Sequence, residues 1–263
     1  MSRARRALAP TLVVLAGLAA WELAARLDVL ADAFAIQDFL IPAPTQIAEA
    51  LWEDRSLLAS NAWVTLQEVL LGFAIAVVLG IGFACAIHLS ETARRALYPL
   101  LVASQTIPIV VLAPIFVVWF GFDLGPKLAI VALICFFPIT VNTLDGLRSV
   151  DPEMVKMMRS LGAGRLQILG RAEAPSALPF AFSGAKIAVA IAVIGAVFGE
   201  FAGSNEGLGH LIRLAQGQLL TARVFAAVVV LSAIAIALFW LLSAVERRVV
   251  SWRPDPAASR AAP

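Results

Sequence analysis

Six stretches of the chain are almost free of charge: residues 7–21, 69–87, 96–122, 128–144, 174–199 and 224–245, the fifth interrupted only by Lys186. A helix needs roughly 20 apolar residues to cross a hydrocarbon core about 30 Å thick. Most of the runs reach or approach that length. The first does so only by including Glu22, and 128–144 is at the short end. None shows the apolar/polar alternation of a barrel strand. In lipid, every backbone N–H and C=O must be satisfied within its own element, so the runs are expected to be helices. The predicted fold is all-α: a polytopic membrane helical bundle of about six transmembrane helices, with residues 1–263 as one transmembrane domain.

Composition removes the soluble alternative. Of 263 residues, 61% are hydrophobic and only 14% are charged, with a mean hydropathy of +0.90. Soluble domains carry about 25% charged residues, and here too few exist to coat a globule of this size. Cys85 and Cys135 sit inside apolar runs with no ligand spacing, which fits small buried residues. The spans hold no His/Asp/Glu constellation, and His88 and His210 are expected on opposite sides of the membrane, so an enzyme is not expected.

The net charge of +2 hides an asymmetry. Arg3, Arg5, Arg6, Arg94, Arg95, Arg148, Lys156, Arg159, Arg165, Arg171, Arg247, Arg248, Arg253 and Arg260 fall on one side of a six-span topology. Arg26, Arg55, Lys127, Arg213 and Arg223 fall on the other. Cytoplasmic loops are enriched in Lys and Arg, so both termini are expected in the cytoplasm. The first run also has the features of a signal peptide, with a basic start and small residues at Ala19 and Ala20. Its removal would leave five spans in the same orientation, but Trp21 and Glu22 follow without an obvious processing site.

Outside the membrane, residues 28–68 form an acidic segment. Pro42 and Pro44 keep it extended, and residues 45–52 are expected to form a short surface helix capped by Thr45. Residues 205–209 are rich in turn formers, and 211–220 read as another short helix. Within the third run, Pro108 and Pro114 each remove a backbone donor and bend the helix. Gln105 and Thr106 lie beside the bend, either lining a pathway or satisfying a packing kink. Lys186 is expected to snorkel to the interface, and Glu22 and Arg26 form an i, i+4 pair. Glu200, between Gly199 and Gly203, faces either a pathway mouth or the external headgroups. Asn142 and Thr140 are placed to bond across helices.

The stretch between the fourth and fifth spans, about residues 145–175, is not a simple loop. Asp151 suits a helix cap, Pro152 the first helical position, Glu153 the positive helix end and Gly162 the stop. Met154, Met157, Met158 and Leu161 then share one face, with Lys156 and Arg159 off it. A second short helix is expected over 165–169. Met is adaptable and common on binding surfaces. This helix therefore either docks into a groove on a soluble partner or rests on lipid.

These residues resemble a known loop. Residues 150–169, Ala174-Pro-Ser-Ala-Leu-Pro179 and Ser183-Gly-Ala-Lys-Ile-Ala are similar to the cytoplasmic segment of permease subunits of bacterial ATP-binding-cassette importers, in the nitrate/sulfonate/taurine branch. The likeness extends to Leu40-Ile-Pro-Ala-Pro, Leu71-Gly-Phe, Gly203-Ser-Asn-Glu-Gly-Leu-Gly209 and Glu246-Arg-Arg. The family's motif is Glu-Ala-Ala, three residues, Gly, nine residues, Ile-x-Leu-Pro. Gly162 and Pro175 stand at its Gly and Pro, whereas Lys156-Met157-Met158 replace Glu-Ala-Ala and Ala172-Glu173-Ala174 replace Ile-x-Leu. The motif's Glu contact is therefore not carried over. Residues 171–179 and 193–201 resemble the permeases for pyrimidine precursors of thiamine more than those for sulfonates.

The resemblance implies a type I, MetI-like importer permease in the bacterial inner membrane. A homodimer would enclose the pathway, a substrate-binding protein would deliver the solute, and an ATPase subunit would bind ATP. The coupling segment would be residues 150–175, with Met154, Met157, Met158, Arg159, Ser160, Leu161, Gly162 and Ala163 at the ATPase contact. Gln105, Asn142 and Glu200 are the pathway candidates. No Gly-x-x-x-x-Gly-Lys-Ser/Thr run occurs, so no cofactor is expected on this chain, and nucleic acid is not an expected partner. The competing reading is an ATP-independent secondary transporter or channel, which would leave the cytoplasmic helix pair unexplained.

Overall fold

The computed structural model describes residues 3–27, 37 and 40–252. Of the acidic segment expected over residues 28–68, residues 28–36, 38 and 39 lie outside the described residues, as do the tail arginines Arg253 and Arg260. The described chain is helical throughout: α1 (Arg3–Arg26), α2 (Pro44–Glu53), α3 (Arg55–Leu89), α4 (Glu91–Thr106), α5 (Ile109–Phe120), α6 (Leu124–Leu147), α7 (Pro152–Ser160), α8 (Arg165–Gly203), α9 (Leu208–Gly217) and α10 (Thr221–Val249). The all-α membrane bundle is therefore as expected. Helices α3, α6, α8 and α10 are each long and apolar enough to cross a bilayer, and α1 has the length for it at 24 residues.

The third run departs from the expected bent helix. It is two helices meeting at 104°. Ile107 is extended at φ −90°, ψ 121°, and Pro108 begins the next helix. The cause is local: the residue before a proline is pushed out of the α region. Pro114 causes no such break and lies inside α5.

Two compact units are present, Met1–Val64 with Glu206–Ser232, and Thr65–Asn205 with Ala233–Pro263. In the first, the α2 cap is Ala43 rather than Thr45. Pro44 fills the first helical position, and the Ala43 N–H donates to Gln46 Oε1 at 2.9 Å. Thr45 is occupied elsewhere, its hydroxyl donating to Glu22 Oε1 at 2.9 Å and its N–H to Oε2 at 3.1 Å. Arg223 grips Asp54 with two bonds, 2.6 and 2.9 Å. Helix α9 stops at Gly217, short of the expected end. Its carbonyls are closed by Leu219 N–H to Gln216 O and Leu220 N–H to Ala215 O, with Leu219 in the left-handed region at φ 59°.

The second unit is organised on a close seam between α6 and α8. The α8 face is a stripe of small buried residues, Gly184, Ala188, Ala192, Ala196 and Gly199. A Cβ at Gly184 would lie 2.5 Å from the Pro138 carbonyl oxygen. Small residues let membrane helices approach closely, and van der Waals packing then holds them. At its start α8 widens into a π turn, Leu169–Glu173, where the Ala174 N–H reaches back to Leu169 O. The widening adjoins Pro175, which has no N–H to continue the α pattern.

Candidate functional site

Two polar junctions mark the ends of the second unit. At one, the Lys127 ammonium of α6 donates to Glu68 Oε1 of α3 at 2.7 Å, and the Thr65 hydroxyl donates to Glu200 Oε1 of α8 at 2.6 Å. Glu68 and Glu200 are fully buried neighbours. At the other end, His88 Nε2 meets Glu173 Oε2 at 2.8 Å, and Arg165 donates to the His88 carbonyl at 3.1 Å.

The junctions frame a membrane-sized slab. Glu68 and His88 are 20 positions apart on one helix, about 30 Å at 1.5 Å per residue, which is the hydrocarbon thickness. Helix α4 starts just past the His88 end, and α5 finishes shortly before Lys127. The broken pair therefore runs from one face of the slab to the other and counts as one crossing. With α3, α6, α8 and α10 this gives five crossings, and α1 supplies the length for a sixth.

Beyond the His88 face projects α7, with every sequence signal for it in place. Asp151 Oδ1 accepts from the Glu153 N–H at 2.8 Å, and Pro152 opens the helix. Gly162 N–H donates to Arg159 O and Ala163 N–H to Met158 O, both at 3.0 Å. That paired closure requires a left-handed residue after the cap, and Gly162 supplies it at φ +83°. Arg159 and Ser160 occupy the last turn, where Ser160 bonds the Met157 carbonyl.

No residue of α7 is buried. Met154 is 48% exposed, Met157 56% and Leu161 80%; Met158 and Ala163 are half-buried. Leu166, in the first turn of α8, is exposed as well. The start of α8, which follows it, is tied down. Gln167 caps the Gly164 N–H at 2.9 Å, and Arg165 and Glu173 tie α8 to the end of α3.

The pathway candidates are dispersed. Gln105 is exposed at the end of α4, beside the break. Asn142 is half-buried and bonds within its own helix, to Pro138 O at 2.8 Å; Thr140 does likewise, to Phe136 O. Among the described residues, neither makes the cross-helix bond expected of it. Glu200 is enclosed in the Lys127 junction. Lys186 does not snorkel free: it pairs with Glu246 of α10 at 2.8 Å. Sequence reasoning missed the joining of Glu68 and Lys127, since both stand at run boundaries and read as ordinary interfacial charges. A cavity of about 600 Å³ between α3, α5 and α6 is walled by apolar side chains such as Ile75, Phe83, Phe116 and Leu133. Its walls are almost wholly apolar.

Comparison with known proteins agrees with this geometry. A family model described as "Binding-protein-dependent transport system inner membrane component" matches residues 76–251. The chain is 41% identical over 254 residues to the formylaminopyrimidine transport permease protein ThiX of Halalkalibacterium halodurans, covering 96% of this chain and 99% of that one. It is 30% identical over 252 residues to the taurine transport system permease protein TauC of Escherichia coli, covering 93% and 89%. Among solved structures, an inward-facing form of the MetNI methionine ABC transporter superposes with a TM-score of 0.63 at 19% identity, covering 76% of this chain and 97% of that one.

Proposed function

Since the chain belongs to the binding-protein-dependent inner-membrane components, the multi-pass permeases of ATP-binding-cassette importers, we propose that it forms the pathway half of an ATP-driven importer for a small organic solute. In this reading residues 1–263 act as one permease domain and residues 150–175 as its coupling segment. The observation that carries it is the exposed apolar face of α7. Met154, Met157 and Leu161 project beyond the slab on a helix with no buried residue, and burial of each such side chain is worth about 1.5–3 kcal/mol. An ATPase subunit takes up this face, with Met158, Arg159, Ser160, Gly162 and Ala163 completing the contact. ATP belongs to that subunit, and this chain takes no cofactor. Closing of two ATPase subunits would draw two α7 helices together and turn the rooted ends of α3 and α8.

The pathway needs a second copy of the chain. Helical backbone can be interrupted at membrane depth only where protein or water covers it. The break at Ile107 and Pro108 leaves Gln105, Thr106 and Ile107 exposed on a single copy. A homodimer with these breaks facing the pathway meets that requirement and places Gln105 on its wall. Asn142 and Glu200 would line it only after α6 and α8 part. The lysine and arginine distribution supports a cytoplasmic position for both termini and α7. A substrate-binding protein would deliver the solute to the Lys127 face. The relative named for formylaminopyrimidine transport favours a small pyrimidine over a sulfonate, taurine or nitrate.

The test is uptake into proteoliposomes containing this chain, its ATPase and its binding protein. Loaded binding protein should drive uptake only with hydrolysable ATP. Uptake by the chain alone, along a solute gradient, would establish the channel or secondary-transporter reading instead.

A further inference from the structure

The first unit holds a groove of about 400 Å³ between α2 and the link from α9 to α10, and its lining is nearly half polar. Glu49, Glu53 and the capping Asp54 line it from the α2 side, and Leu219, Leu220 and Arg223 from the link. Both segments belong to stretches that the lysine and arginine distribution assigns to the outer face. Charge there is out of balance. Arg223 is taken up by Asp54, whereas Glu49 and Glu53 are exposed and form no ion pair among the described residues. Three carboxylates and one guanidinium leave two negative charges at one groove. Glu49 and Glu53 also stand four residues apart on one helix face, where like charges repel. Glu53 is the last residue of α2, at the negative end of the helix dipole. The helix carries both charges at a cost to itself that a cation would remove.

Charge also decides where that cation comes from. The neighbouring residues 28–39 include Asp28, Asp32 and Asp38 and no lysine or arginine, so they bring the wrong sign. A second copy brings no spare cation from the same face. Arg26 pairs with Glu22, Lys127 with Glu68 and Arg223 with Asp54. Arg55 bonds the Trp52 carbonyl at 2.9 Å and lies over its ring, and Arg213 meets His210 at 3.1 Å. A bare metal ion makes no use of Leu219 and Leu220, which are exposed at the groove. A lysine or arginine side chain uses both parts, because its apolar stem covers apolar surface while its charged head stays with the carboxylates.

We propose that this groove docks a lysine- or arginine-bearing ridge of the solute-binding protein, with the basic heads at Glu49 and Glu53 and a stem on Leu219 and Leu220. The importer reading, on which this rests, supplies such a protein at the outer face. Complementary charge of this kind acts mainly on the rate of encounter and on orientation, so the carboxylates steer the loaded protein into register before the solute is released.

The experiment immobilises the detergent-purified complex of full-length chain and ATPase, passes solute-loaded binding protein over it at low salt, and reads association by surface plasmon resonance. Glu49→Gln/Glu53→Gln should slow association about tenfold and flatten its dependence on salt. Glu49→Asp/Glu53→Asp keeps both charges and should associate like the parent. Both positions are exposed, and equal yield of the complex confirms that the variants fold. Unchanged association in the glutamine variant overturns the groove assignment and leaves the importer reading standing; magnesium bound by the parent and lost in that variant would then mark a free-cation site. Equal loss in the glutamine and aspartate variants shows that shape and not charge is read, and overturns the proposal too. No association with the parent complex fails the importer reading itself, and the groove with it.

Discussion

Replacing Gly162 by valine isolates the backbone requirement at the end of α7. Gly162 has φ +83°, and a Cβ built there meets no atom within 4 Å. Steric clash with neighbours therefore contributes nothing, and any effect comes from the left-handed conformation. That conformation costs an L-residue roughly 1–2 kcal/mol, with β-branched residues at the upper end. The closure at risk consists of the Gly162 and Ala163 N–H bonds to Arg159 and Met158. A nine-residue helix has little intrinsic stability to spare, so 1–2 kcal/mol shifts the formed-to-frayed ratio of its last turn about 5–30-fold. Met158, Leu161 and Ala163 would then be presented in a mixture of conformations. In reconstituted proteoliposomes, Gly162→Val should keep membrane insertion, weaken stimulation of ATP hydrolysis by loaded binding protein, and lower uptake per ATP about tenfold. Gly162→Asn, which tolerates the left-handed region, should lose much less. Full coupling in the valine variant would refute the reasoning, as would equal defects in valine and asparagine.

Other outcomes follow from the packing. Gly184→Ala places a methyl group against the Pro138 carbonyl, a backbone atom that cannot yield; it should cost about 1–3 kcal/mol in reversible detergent unfolding. Gly199→Ala, whose nearest atom is the Lys127 Cα at 3.2 Å, should cost less. Lys127→Met leaves the buried Glu68 carboxylate without its cation and should destabilise by about 3–5 kcal/mol. Adding Glu68→Gln should recover much of that loss in the same unfolding assay, and strict additivity would contradict the ion pair. Leu219→Gly relieves a left-handed leucine at φ 59° and should raise stability by about 1 kcal/mol, read as a higher apparent Tm.

The membrane architecture was legible because hydrophobic burial works on long uniform runs: residues 69–87, 128–144 and 224–245 all fall inside single helices. Helix α7 was equally legible, since its cap, first-turn proline and terminal glycine are local signals with local causes. Legibility failed where the outcome depended on partners distant in sequence. Thr45 has the chemistry of a cap, but Glu22, 23 positions away, claims both its hydroxyl and its N–H. Lys186 could not be assigned to Glu246, 60 positions on. The severity of the break at Pro108 escaped too, because Pro108 and Pro114 present the same local chemistry and only one of them ends a helix. Of the site candidates, those of residues 154–163 all lie on α7 or its C-terminal closure. Gln105, Asn142 and Glu200 were chosen for polarity alone and lie in three different surroundings.

The central claim is that an ATPase takes up the apolar face of α7, and the most direct test is ATP hydrolysis by the complex purified through this chain from its own membranes. The parent chain should carry vanadate-sensitive ATPase activity. Met157→Glu/Leu161→Glu, two exposed positions whose change leaves the buried seam untouched, should be recovered from the membrane in equal amount with that activity reduced at least tenfold. Equal activity in the parent and the double variant, or none with either, would contradict the account.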